Sequence, residues 1–322
     1  MPDSPSGLRW QPVSARDIPA IVALYADALA VDGGQPYAGD EALLRRWYTG
    51  GIEVSLAAFD GGRLVGVCAR RHASTGDGPR SVIAGQVAPG YRGRRIGARL
   101  LDAALDGADP ATGVLVENES LTGSADALYR SRGLRPVFAE DVMTLALADG
   151  GPAVARPAQA GDPRLTGLRF TEWSGPAAAR FYAVYTAAFA GRPGFPGWPA
   201  SEWIERLSGD PDFRADWTLL ASVAGADAGF IAGDTGGWIA QVGVVPAARR
   251  QGIATRLIVE VLRRMREAGE TRAVLDVNVN NPGAIAVYER LGFARAGRRA
   301  RYEPAPPVRP PVRRPGPPRG RE

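Results

Sequence analysis

The sequence predicts an α/β protein of two tandem domains, each a mixed, mostly antiparallel sheet with helices on both faces. Three observations lead there. The chain has 322 residues, about the length of two ordinary domains. Apolar strand-like runs and helix-period stretches follow one another in a fixed order, and that order occurs twice. A strand-to-helix motif also recurs at a constant offset. Pro246, Arg249, Ile253 and Ala254 are matched by Pro89, Arg92, Ile96 and Gly97, 157 residues earlier. Further on, Val287-Tyr288-Glu289 with Gly292-Phe293 matches Leu128-Tyr129-Arg130 with Gly133-Leu134 at an offset of 159. Self-similarity at a domain-sized period marks a duplicated domain, not a solenoid.

The elements can be placed in order. In the first half, residues 8–13 suggest a strand, and Ser14 is positioned to cap a helix over 15–29. Residues 52–59 and 63–71 are strands around Asp60-Gly61-Gly62, a hairpin turn signal. A third strand covers 81–87, and a helix runs from about 93 to 105. Then come a strand at 113–117, a helix at 124–132 and a closing strand pair to 147. The second half repeats this with strands at 168–173, 217–223, 228–232, 238–245 and 272–277. Its helices cover 176–189, 248–267 and 282–291, before a last strand pair to about 302. Ile253, Leu257, Val261 and Met265 recur every fourth residue, the buried stripe of an amphipathic helix. The domains are expected at 1–149 and 167–303. A linker rich in Gly, Pro, Ala and Asp is expected at 150–166, and a tail at 304–322.

Composition narrows the function classes. The net charge is +5, and most of it sits in the tail, which holds five arginines and one glutamate among eight prolines. That tail is expected to be disordered, and with no aromatics between its arginines it is not expected to bind nucleic acid. No apolar run approaches the ~20 residues of a membrane span, and the N-terminus has neither the basic start nor the apolar core of a signal peptide. A single cysteine, Cys68, leaves no internal disulfide and fits a cytoplasmic protein. The second half has no histidine or cysteine, so neither a Cys–His nor a Ser–His nucleophile pair is available there, and no metal-ligand cluster is visible.

The strand-to-helix turn carries the chemistry. The first N–H groups of a helix have no partner within it, and together with the positive end of the helix dipole they form a site for a phosphate or pyrophosphate. Gly252 and Ala254 have little or no side chain, so an anion can approach the backbone closely. A nucleotide-bearing ligand is the first expectation.

With Arg249-x-x-Gly252-x-Ala254 opening a helix, and then Asn281, Ala284, Tyr288 and Gly292-Phe293, the chain resembles the Gcn5-related N-acetyltransferases. The resemblance covers about 140 residues of each half, and the tandem arrangement is similar to that of bipartite family members. It implies acetyl-CoA as co-substrate, an amine acceptor and direct transfer without a covalent enzyme intermediate. Val244, Val245, Arg249, Arg250, Gln251, Gly252, Ile253, Ala254 and Asn281 are the implied cofactor contacts. Backbone N–H groups of residues 243–245, on a splayed strand, are candidates to hold the thioester oxygen. Tyr288 is the candidate general acid at the leaving sulfur. For the general base two carboxylates compete: Asp276, at a place where similar family members carry a catalytic carboxylate, and Asp234, near an acidic residue used by bipartite members. Arg192, Phe195 and Trp198, in the connection after the first helix of the second half, are candidates for an acceptor pocket.

The halves are not expected to be equal. Arg95 stands where the second half has Gly252, as an extra phosphate contact or as an obstruction. Asn281 has no clear counterpart, because residues 121–124 read Leu-Thr-Gly-Ser. The second half is expected to be the catalyst and the first a degenerate copy. The competing expectation is a non-catalytic acyl-CoA-binding or scaffold protein.

Overall fold

The computed structural model describes residues 7–75, 78–109, 113–147, 166–192 and 195–305. The expected linker and tail lie outside the described residues, except at their edges. The first half runs β1 (Arg9–Gln11), α1 (Ile18–Asp32), α2 (Glu41–Thr49), β2 (Ile52–Asp60), β3 (Arg63–Thr75), β4 (Gly78–Val87), α3 (Ile96–Leu105), β5 (Val114–Asn118), α4 (Gly123–Ser131) and β6 (Leu134–Ala146). The second half runs β7 (Arg169–Glu172), α5 (Ala178–Phe189), α6 (Ala200–Ser208), β8 (Phe213–Val223), β9 (Ala226–Asp234), β10 (Trp238–Val244), α7 (Ile253–Glu267), β11 (Arg272–Asn278), α8 (Pro282–Arg290) and β12 (Ala294–Pro304). Among the described residues no helix is long and apolar enough to cross a membrane.

Local chemistry explains most boundaries. Asp60 and Arg63 close the β2–β3 hairpin over Gly61, whose φ of 57° suits glycine. The α7 stripe Ile253, Leu257, Val261 and Met265 is buried as expected. Helices α2 and α6 were not among the elements read from the sequence. Asp40 caps α2 by accepting from Leu43 N at 2.8 Å, and that Asp-x-x-Leu start is a signal the sequence did carry.

The expected closing strand pairs are corrected: each half ends in one long strand, and the two long strands pair with each other. The twelve strands form one sheet in the order β1-β2-β3-β4-β5-β12-β6-β11-β10-β9-β8-β7. Strand β12 lies between β5 and β6, and β6 lies between β12 and β11, all antiparallel. Ala300 and Tyr302 of β12 complete the core of the first half, while Met143 and Leu145 of β6 complete that of the second. Exchanging the strands covers edges that would otherwise expose a row of unpaired N–H and C=O groups.

This interlock has a measurable consequence. The whole chain should unfold in one cooperative transition, because neither sheet half keeps its inner strand without the other. A fragment beginning at residue 166 retains β11 and β12 but not the strand between them, and is expected not to fold. Two separated transitions in calorimetry would contradict the interlock.

The sheet has two distinct faces. On β8 and β9, Leu220 and Phe230 pack with α5 and α6, whereas Leu219, Ala221 and Ile231 pack with α7 and α8. On β12, Tyr302 packs at a tilt against Tyr129 of α4 at 4.8 Å, while Arg299 turns the other way to donate to Tyr37, between α1 and α2, at 2.7 Å. Helices α1, α2, α5 and α6 thus share one face, and α3, α4, α7 and α8 the other.

Candidate active site

The turn into α7 has the geometry of an anion site. The first bond within the helix runs from Arg256 N to Gly252 O at 3.1 Å, so the N–H groups of Ile253, Ala254 and Thr255 have no helical partner. Gly252 caps the helix in the left-handed region with φ 86°, preceded by Arg250 with φ 60°. The first half follows the same path with the glycine moved: Gly93 has φ 75° and Arg95 has φ 60°. Arg95 therefore does not misshape its loop; it takes the backbone conformation of Gly252 at some cost. A non-glycine residue in this region stores roughly 1–2 kcal/mol, part of which glycine would return as unfolded-state entropy. Arg95→Gly is expected to raise stability by up to about 1 kcal/mol, seen as a higher denaturant midpoint with unchanged slope.

Arg249 does not reach out from this turn. Its guanidinium donates to Val244 O at 3.2 Å and Ala188 O at 3.0 Å, tying the turn to the C-terminal end of α5. Gln251 donates to Ala247 O at 3.2 Å. Both brace the loop, and the backbone N–H groups from Ile253 to Thr255 are open to a ligand.

Strands β10 and β11 are parallel and paired only at Trp238↔Val274 and Ile239↔Leu275. A bulge at Ala240 follows, and β10 continues to Val244 paired with β9 alone. The strands part, as the resemblance implies. Val245 N donates to Ala228 O at 2.9 Å. In an antiparallel ladder the N–H groups alternate in direction, so those of Val242 and Val244 point into the opened gap. Val244 keeps its expected role as a candidate oxyanion donor. The N–H of Val245 is already spent on β9, which corrects the expectation for that residue as a donor.

The two candidate proton carriers approach the gap from opposite faces. Tyr288 is buried with Leu275 and Val277 on the α7–α8 side. Asp276 lies between those two residues on β11, so its side chain points to the other face. Among the described residues nothing hydrogen-bonds the Tyr288 hydroxyl; its ring packs edge-on against Phe293 at 5.9 Å. Burial pushes its pKa up to about 12, partly offset by the positive charge of Arg192, so the proton is held at neutral pH. Asn281 accepts from Ala284 N at 3.2 Å and caps α8, which places Tyr288 two turns into the helix.

Asp276 sits on the seam between the halves. Gln35, from the α1–α2 connection, donates its side-chain N–H to Asp276 Oδ2, and Arg299 Nε lies 3.5 Å from the same oxygen. Asp276 Oδ1 and Gln35 Oε1 are both buried without a hydrogen-bond partner among the described residues. Burial lifts the Asp276 pKa to about 6, with Arg299 opposing the rise. Gln241 of β10 turns to this face too, since Gly243, two residues on, meets Phe230 and Ala188 of the α5 side; its Oε1 is likewise buried and unpartnered. Trp238 and Tyr37 meet at 6.1 Å beside them. Unpaired buried acceptors cost about 1–3 kcal/mol each, a cost that a group bringing donors to Asp276 Oδ1 and Gln35 Oε1 would relieve. Gln35, Tyr37 and Gln241 were missed in the sequence. Gln35 is 241 residues from Asp276, and only the neighbouring Gly33-Gly34 hinted that its loop is special.

The structure separates Asp234 from this group. It ends β9 opposite Trp238 and Phe213, across β10 from β11. Its pKa is also lifted to about 6, by burial and by the nearby Asp210 and Asp212. Phe195 and Trp198 both pack against the α5–α6 core. Arg192 lies 5.0 Å above Phe189 and Phe195 packs on Tyr185 at 5.4 Å, but the Trp198 ring is covered by Arg206 at 4.7 Å.

The first half keeps the corresponding cleft. A cavity of about 360 Å³ lies between β4, β5, α3 and α4, lined by Gln86, Arg95, Ile96, Asn118 and Tyr129 among others. Its α4 is capped by Thr122, which accepts from Ala125 N at 3.2 Å. Thr122 is therefore the counterpart of Asn281 that the sequence did not reveal, because a hydroxyl and an amide cap equally well. The tyrosines differ. The Tyr129 hydroxyl accepts from Asn118 Nδ2 at 2.8 Å, whereas the residue in that place on β11 is Val277, which has nothing to donate. Arg92, the counterpart of Arg249, is gripped by both oxygens of Asp32, at 2.7 and 2.5 Å.

Among the described residues no group of three or more His, Cys, Asp or Glu side chains is arranged to hold a metal. Residues 179–293 match the Acetyltransferase (GNAT) family. The chain is 30% identical over 302 residues to a mycothiol acetyltransferase of Thermobispora bispora, covering 87% of this chain and 93% of that one. Its fold is similar to that of a GCN5-related N-acetyltransferase from Sphaerobacter thermophilus, with TM-score 0.68, 24% identity, and 95% and 98% of the two chains covered. It is also similar to a tandem GNAT protein from the clavulanic acid biosynthesis pathway, with TM-score 0.55, 20% identity, and 93% and 99% covered. With a strand pair that parts beside a helix N-terminus, built twice in one chain, and a relative that matches it nearly end to end, this protein belongs to the GNAT acetyltransferase family and is an N-acetyltransferase of the tandem kind.

Proposed function

We propose that the protein moves the acetyl group of acetyl-CoA to the primary amine of a small molecule or peptide, and that transfer takes place in the second half. The observation that carries this reading is the two-sided gap between β10 and β11, with Tyr288 on one face and Asp276 on the other. The pyrophosphate of the co-substrate rests on the N–H groups of Ile253 to Thr255, and its pantetheine arm follows β10 toward Val244 and Val242. The amine arrives from the seam side. Asp276 takes a proton from the amine as its nitrogen bonds to the thioester carbon, the backbone N–H of Val244 holds the negative oxygen, and Tyr288 donates a hydrogen bond to the sulfur as the carbon–sulfur bond breaks.

The first half differs at this place, since its tyrosine oxygen accepts from Asn118. It serves as a wall of the acceptor site through Gln35 and Tyr37, and its cleft of about 360 Å³ has room for the pantetheine arm of a second acetyl-CoA without turnover. The name carried by the relatives makes the amine form of mycothiol the first acceptor to offer.

The test joins calorimetric titration with acetyl-CoA to an assay of free thiol release against a panel of amines. Binding together with amine-dependent thiol release supports the reading. Binding without release by any amine would favour an acyl-CoA-binding role, and absence of binding would remove it. A stoichiometry of two would assign the second equivalent to the first-half cleft.

A further inference from the structure

We infer that Gln35, contributed by the first half, is a positioning residue of the second half's active site, holding the Asp276 carboxylate so that one oxygen faces the incoming amine. This rests on the reading of Asp276 as the base.

The segment that carries Gln35 is shaped to reach that far. Gly33 and Gly34 follow α1 with φ of 67° and 127°, a backbone path only glycine takes easily. A Cβ on Gly33 would lie 1.5 Å from Ala296 O, and one on Gly34 would lie 2.4 Å from Glu119 O. Gly297 completes the fit, since a Cβ there would stand 2.1 Å from Gly34 N. It follows a register shift in β12 between Arg295 and Gly297. Three glycines thus let the α1–α2 connection lie directly on β12 and pass over it. Gln35 is then fastened by its own backbone, with its N–H donating to Glu119 O at 2.9 Å and its carbonyl accepting from Ala38 N at 3.0 Å. From there its fully buried side chain crosses to β11.

The consequence for Asp276 is directional. Gln35 and Arg299 both address Oδ2, so Oδ1 is the oxygen left to accept a proton. Gln35 Oε1 beside it is also unpartnered. A primary amine offers the matching pattern, with one N–H transferred to Asp276 Oδ1 and a second donated to Gln35 Oε1. The charged and titratable groups around Asp276 are Arg299 of β12, Glu140 of β6, Glu119 after β5 and Tyr37 beside Gln35. Its paired neighbour on β6 is Val142, and Gln241 of β10 is uncharged. Arg299 is shared with Glu140 at 2.9 Å and Glu119 at 3.7 Å, and among the described residues Gln35 is the one neutral donor aimed at this carboxylate.

The experiment uses the full chain with Gln35→Met, which keeps length and removes both polar atoms, and with Gln35→Glu as a second variant that retains a polar group. The pH profile of kcat/KM for the amine, the KM for acetyl-CoA and the thermal midpoint are measured on each. Losing the amide N–H removes a donor that favours the carboxylate. In Gln35→Met the acidic limb should therefore move up by roughly 0.5–1 pH unit, kcat should fall by about tenfold, and KM for acetyl-CoA should stay the same. In Gln35→Glu the limb should move up further, because a second carboxylate shares the site. Should Gln35→Met fail to fold, the Gln35→Glu profile decides. A folded variant with the wild-type limb and kcat would overturn the role of Gln35, and so would a loss that only tracks the thermal midpoint. Asp276→Asn separates the two levels. If it is inactive while Gln35→Met behaves as wild type, only the present inference falls. If it keeps wild-type turnover, the base assignment falls and this inference with it.

Discussion

Tyr288→Phe is expected to lower kcat by roughly 10- to 1000-fold while leaving acetyl-CoA affinity within about twofold. The substitution removes one oxygen from a ring that packs against Phe293 at 5.9 Å, so the apolar contacts survive. The hydroxyl has no hydrogen-bond partner among the described residues, so nothing in the fold loses a donor. Any loss of turnover is then a loss at the reacting sulfur. Burial holds the phenol at about 12, well above the ~8.5 of an ordinary thiol. Complete proton transfer to a thiolate is therefore uphill, and the main contribution is a hydrogen bond that strengthens as negative charge builds on the sulfur. Steady-state kinetics with a saturating amine is the check; unchanged kcat would exclude the acid role. Tyr129→Phe serves as the internal control and should leave turnover near the wild-type value.

Asp276→Asn is expected to abolish most turnover and to stabilise the protein. In the wild type, burial raises the carboxyl to about 6, so the native state binds the proton more tightly than the unfolded chain, where the pKa is near ~3.9. The sign follows from linkage: stability is lost as pH rises from about 4 to about 6 and stays lost above that. A neutral amide does not pay this charge-burial penalty, and at pH 7 the gain should be on the order of 1–3 kcal/mol, the opposing effect of Arg299 being already contained in the raised value. Activity should move the opposite way. Wild-type kcat/KM should climb about tenfold per pH unit below about 6 and level off above it, and the variant should lose that limb. A higher thermal midpoint with lost activity is the signature of a functional group held against the interest of the fold. A variant both less stable and inactive would instead mark Asp276 as part of a structural ion-pair network.

The local architecture was legible in the sequence because local rules fixed it. The period-four stripe of α7, the hairpin at Asp60 and the glycine at the start of α7 each follow from a handful of neighbouring residues, and so do Tyr288 and the open helix N-terminus. The duplication was visible for the same reason, as two copies of one short pattern. Even so, the match of Thr122 to Asn281 was hidden, since capping selects a chemistry and not a residue.

What only the tertiary structure decided lies where distant segments meet. No spacing announces that β12 enters the first half's sheet while β6 enters the second's, because an alternating strand fits any edge of complementary face. The contact of Gln35 with Asp276 spans 241 residues and depends on three glycines yielding room to one another across two elements. The freedom of the Tyr288 hydroxyl depends on Val277 standing where the other half has Asn118, a difference with meaning only once both tyrosines are seen against their strands. The sequence by itself determined the repeating unit and its strand-to-helix turn, since those are written in adjacent residues. The tertiary structure decided which side chains surround Asp276 and which face of the sheet Tyr288 packs on, since those depend on side chains brought together by the sheet.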